Sequence, residues 1–72
     1  MSFTKRMNEE IVDAVLTTED GKSMIWSYEH ARPDNDKFRN LILNVCTEKA
    51  MDMSEGMCDP TVMRNMFKAE LD

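Results

Sequence analysis

The stretch TTEDGKSMIWSYEHA, residues Thr17 to Ala31, decides the fold because it supports two incompatible readings. As a hairpin, Asp20-Gly21 is a tight turn between Ile11–Thr18 and Lys22–His30, and Met24, Trp26, Tyr28 and His30 alternate onto one side. As a helix, Thr17 or Thr18 caps the start, and Glu19 and Asp20 sit at the positive end of the dipole. Met24, Ile25, Tyr28 and Ala31 then form the buried face, with Trp26 pointing away from it. The helix is preferred on two grounds. Residues Glu9 to Leu16 fit a helix better than a strand, and a lone two-stranded hairpin would still need a covering surface.

Towards the N-terminus, a helix is expected from Ser2 to about Leu16, capped by Ser2 or Thr4. Phe3, Met7, Ile11, Ala14 and Val15 share a stripe, while Lys5, Arg6, Glu9 and Asp13 point elsewhere. Val12 and Leu16 widen the apolar arc, which predicts contact with more than one neighbour.

Towards the C-terminus, Pro33 ends the preceding element, and Asp34 or Asn35 caps a helix running from Asp36 to about Met51. Its residues Phe38, Leu41, Ile42, Leu43, Val45, Cys46 and Ala50 cover about half of the circumference, an arc expected of a central helix. Arg39 and Lys49 lie within or beside that arc and have to carry their charges out to the surface. Ser54, Glu55 and Gly56 stop this helix. Asp59-Pro60 starts the last one, which runs to about Leu71 with Val62, Met63, Met66, Phe67 and Ala69 on one face. The expected fold is all-α, a single domain over residues 1–72 forming a compact bundle of three or four short helices, with 36–51 at its centre and 60–71 packed across it. The alternative is α+β, with an N-terminal or central β-hairpin packed on two helices.

Size and charge bound the function. At 72 residues, one apolar core supplies only about 3 to 5 kcal/mol, so association with a partner or with a second copy would matter to stability. Fourteen acidic against nine basic residues give a net charge of -5. The cations are interleaved with carboxylates, which disfavours nucleic acid as a partner. No apolar run is long enough for a signal-peptide core or a membrane span. A cytoplasmic protein read as a complete small reading frame is therefore expected, with Cys46 and Cys58 as reduced thiols.

The common chemistries lack their residues. His30 is the only histidine, and nothing in the spacing places it with Cys46 or Cys58 as a nucleophile and base pair. Glu9 and Glu10 are adjacent and do not face each other on a helix. Cys46 and Cys58 lack the close spacing of a structural zinc site, and Asp34-Asn35-Asp36 lacks the glycine and distal glutamate of a calcium loop. Met51, Met53, Met57, Cys58, Met63 and Met66 would suit Cu(I) by softness, but methionines at helical spacing are more often packing residues. Two glycines cannot form a glycine-rich phosphate loop. No catalytic residue, metal or cofactor is assigned.

What remains is a partner surface. Five of the eight methionines fall between Met51 and Met66, and such a methionine-rich patch adapts to varied apolar partners. Tryptophan is enriched among the residues that dominate interfaces. The candidate partner-binding residues are Trp26, Tyr28, Met53, Met57, Met63, Met66 and Phe67. The expected role is a small acidic regulator that binds another protein and modulates or inhibits it, as an adaptor would. Size and charge also suit a phage or mobile-element product acting on a host enzyme. Two alternatives are a DNA-binding regulator whose last two helices resemble a helix-turn-helix, and a nucleic-acid mimic using Glu9, Asp13, Glu19, Asp20, Asp34, Asp36, Glu48 and Asp52.

Overall fold

A computed structural model describes residues 4–31 and 35–72. The sequence readings at Ser2, Phe3, Pro33 and Asp34 lie outside the described residues. Four helices follow in order: α1 Lys5–Leu16, α2 Glu19–His30, α3 Asp36–Met53 and α4 Pro60–Leu71. There is no strand among the described residues. The all-α bundle is therefore the fold, and the hairpin alternative is overturned by α2.

The α1–α2 junction explains why Asp20-Gly21 is not a turn. The Thr18 hydroxyl donates to the Val15 carbonyl at 2.7 Å and accepts the Gly21 N–H at 2.9 Å, so one side chain closes α1 and opens α2. Gly21 lies inside the first turn of α2 and is buried against the end of α1. A Cβ there would collide with the Val15 carbonyl oxygen and come within 2.8 Å of the Leu16 Cα. The glycine lets two backbones approach, a packing role that the Asp-Gly dipeptide does not advertise.

The remaining starts follow the capping expectations. Thr4 accepts the Met7 N–H, Asn35 accepts the Phe38 N–H, and Asp59 accepts those of Thr61 and Val62 ahead of Pro60 at the first helical position. α3 ends in a Schellman arrangement. The Gly56 N–H reaches the Met51 carbonyl at 2.8 Å and the Glu55 N–H reaches that of Asp52 at 3.2 Å. Both Glu55 (φ 55) and Gly56 (φ 79) are left-handed.

The core comprises Val12, Val15 and Leu16 from α1, Tyr28 from α2, Ile42, Leu43, Cys46 and Ala50 from α3, Cys58 from the connection, and Met63 and Phe67 from α4. Its α1 face is rotated from the expected stripe. Val12 and Leu16 are central, Ile11 and Ala14 are half-buried, and Met7 is exposed. The rotation follows from α1 packing against α2, α3 and α4 together. α3 and α4 share the most extensive contact, with α4 lying on the central helix as its composition predicts. No helix among the described residues is long and apolar enough to cross a membrane.

Candidate functional site

Residues four apart on a helix share a face, and residues two apart lie on nearly opposite ones. In α2 this sorts the four residues that a strand would have aligned. Met24 and Tyr28 turn inward, with the Met24 sulfur 3.8 Å from the Cys46 thiol, while Trp26 and His30 turn outward. Their rings stack at 4.0 Å between centroids and 15° between planes, and His30 Nδ1 donates to the Trp26 carbonyl at 2.8 Å. The Trp26 ring thus rests against His30 while 62% exposed.

α3 extends this face. Its apolar arc is too wide for the bundle to cover: Ile42, Leu43, Cys46 and Ala50 are buried, whereas Phe38 is 38% and Leu41 57% exposed. Phe38 and Asn35 line two adjoining grooves. One, of about 390 Å³, runs between Phe38 and the Trp26–His30 stack over Ala31; the other, of about 570 Å³, is bordered by Leu41, Lys37 and Asn44. Arg39 ties the two helices together beneath this surface. Its guanidinium donates to the Ala31 carbonyl at 3.3 Å and lies 5.3 Å from the Tyr28 ring centroid, a cation–π distance.

Charge is unevenly placed around the bundle. No carboxylate among the described residues lines either of these grooves. A groove between α1 and α4 is lined by Glu9, Glu10, Asp13 and Glu70 with Arg6, and another by Asp20 and Asp52 with Lys49. Lys49 pairs with Asp20 at 3.4 Å. Of the carboxylates read as a mimic's set, Glu9 and Asp13 line the first groove and Asp20 and Asp52 the second, so they do not share one groove, and Asp34 lies outside the described residues.

Four of the seven candidate partner residues reach solvent, and they do not form one patch. Trp26 stands on the α2–α3 face; Met53 and Met57, about half exposed, lie near the end of α3; and half-buried Met66 lines the acidic α1–α4 groove. Tyr28, Met63 and Phe67 are corrected from surface to core. Tyr28 is 5% exposed, and Met63 and Phe67 are wholly buried at i and i+4 of α4. Leu41 and Phe38 were missed as surface residues, although an apolar arc wider than a bundle seam signalled that part of it would remain outside.

Cys46 and Cys58 are unbridged and buried. Burial pushes the Cys46 thiol above its ordinary 9.0, partly opposed by Lys49. His30 is on the outer side of α2 and Cys46 faces its inner side, so the structure does not bring them together. Among the described residues no three His, Cys, Asp or Glu side chains group as a metal site. Comparison with known proteins found no matching family model, no matching curated protein and no matching solved structure.

Proposed function

We propose that this bundle is a non-catalytic binding protein that engages another protein through Trp26, Phe38 and Leu41 and alters that protein's activity. The observation that carries the reading is Trp26, mostly exposed yet stacked on His30 and flanked by two further uncovered apolar side chains. A rigid, preoriented aromatic loses little conformational freedom on binding, and contiguous exposed apolar surface on so small a domain marks an interaction site. Lys37 borders the larger groove, so the complementary surface is apolar with a neutral or acidic border.

The test is capture from lysate by the tagged full chain at low and high salt, beside Trp26→Ala and Met57→Ala. The expected result is one partner, indifferent to salt, lost with Trp26→Ala and kept with Met57→Ala. Capture that survives Trp26→Ala overturns the reading. Capture that salt alone abolishes transfers the role to the acidic grooves and to nucleic-acid mimicry.

A further inference from the structure

We propose that the groove between α1 and the end of α3 is a second docking site, which takes a basic amphipathic helix of another protein. The site is separate from the Trp26 face. Met53, which floors it, and Leu41 are about 18 Å apart along the axis of α3.

α1 carries more apolar surface than the core uses. Val12, Val15 and Leu16 are buried, whereas Met7, Ile11 and Ala14, at i, i+4 and i+7, form a second stripe on which Met7 is 42% exposed and the other two are half-buried. With Met53, 52% exposed, this stripe floors a groove of about 380 Å³. A neighbouring groove of about 310 Å³ continues from Met53 to Val15. From Met7 to Val15 the floor runs about 12 Å along α1, room for two turns of a docked helix. Two methionines let such a floor adapt to the apolar face laid on it.

The rim decides the occupant. Glu10 and Glu55 border the first groove and Asp20 and Asp52 the second, beside the ammonium of Lys49. Lys49 is already committed to Asp20 at 3.4 Å, and the end of α3 adds the negative pole of its dipole. Glu10 also meets Arg6 at 3.6 Å, an exposed contact that an incoming cation can replace at little cost. The rim therefore attracts cations while the floor attracts apolar side chains. A helix with Leu on one face and Lys or Arg on the other satisfies both. A second copy of this chain, at -5, and an anionic lipid surface are repelled by the same rim.

The probe is a capped peptide of about 14 residues, Leu and Lys patterned as an amphipathic helix, titrated into the isotope-labelled full chain and followed by amide NMR. A scrambled peptide of the same composition and a Leu and Glu counterpart run beside it. Shifts are expected along the Met7–Ala14 stripe and at Met53, with a dissociation constant between about 10 µM and about 1 mM. Asp52→Lys with Glu55→Lys should weaken binding more than about tenfold, while Trp26→Ala leaves it unchanged. Circular dichroism of the charge-reversed variant should match the wild type, because both side chains are exposed. Absence of shifts at about 1 mM peptide overturns the proposal, as does equal binding by the scrambled or acidic peptide or unchanged affinity in the charge-reversed variant. Shifts centred on Trp26 would give the peptide to the α2–α3 face, and shifts of the α1 amides on concentrating the chain alone would give the groove to a second copy; either overturns it. Loss of partner capture with Trp26→Ala tests the other face only, so the two readings stand or fall separately.

Discussion

The phenolic oxygen of Tyr28 donates to Oδ1 of Asp72 at 2.6 Å, joining α2 to the residue that ends α4 across 44 positions of sequence. Tyr28 is otherwise a core residue, so its hydroxyl has to find a partner at the core's edge. Tyr28→Phe keeps the ring and removes the bond. It should destabilise the fold by about 1 to 2 kcal/mol, read as a lower denaturant midpoint at unchanged slope. A midpoint equal to the wild type's would mean that the bond adds nothing over hydration.

The same phenol shapes stability at alkaline pH. Burial raises its pKa above the ordinary 10.0, reinforced by the Asp72 bond and charge and opposed by Arg39, and burial raises Cys46 above 9.0. In both cases the unfolded chain gives up its proton first. The contribution is therefore complete below the unfolded values and is lost as pH rises through the folded ones. Melting temperature should fall from about pH 9 upwards, and Tyr28→Phe should flatten the part of that decline above about pH 10. An identical decline in the variant would assign the alkaline loss to other groups.

Gly21→Ala in an exposed helix would stabilise by about 1 kcal/mol. Here the added methyl would meet the Val15 carbonyl oxygen and the Leu16 Cα, both backbone atoms that cannot rotate away. The sign should reverse, with a net loss of about 1 to 3 kcal/mol as α1 and α2 are pushed apart. Thermal melts decide it: a raised melting temperature would mean that the two helices separate freely.

The Glu55 position combines a left-handed φ of 55 with a β-carbon at the end of α3, where the Schellman geometry favours glycine. Glu55→Gly removes a strain of about 1 to 2 kcal/mol and returns part of it as added freedom of the unfolded chain. A net stabilisation of about 0.5 to 1 kcal/mol is expected. Gly56→Ala should act in the opposite direction, because φ is 79 there and no neighbouring atom lies within 4 Å to compensate. Chemical denaturation of the two variants checks both signs, and destabilisation by Glu55→Gly would reject the strain argument.

Local signals carried most of the architecture. Thr18, Asn35 and Asp59 cap helices where their residue types predict, and the i, i+4 rule separates Trp26 from Tyr28 once α2 is accepted as a helix. What periodicity could not give was the direction each arc faces, since that depends on neighbours. Met7 falls within α1's apparent stripe yet is exposed, because Val12, Val15 and Leu16 are the residues aimed between α2, α3 and α4. Two of the seven residues in α3's arc, Phe38 and Leu41, are surplus to the core and form the surface beside Trp26. Gly21 looked like a turn because its actual role depends on the end of α1 lying against it.

The methionine cluster gives the sharpest contrast between residue type and position. Met63 is wholly buried beside Phe67, whereas Met57, six residues earlier, is 51% exposed. Met63→Ala leaves a cavity in the core and should cost about 2 to 5 kcal/mol, a large part of what a core of this size supplies. Met57→Ala should stay within about 0.5 kcal/mol, because a side chain already half in water gives up little. Urea unfolding of the two variants separates the readings. Equal and small losses would mean that the methionines form one adaptable surface, whereas a loss confined to Met63→Ala would mean that the cluster is two structures, a core residue and an outward one, that share only their chemistry.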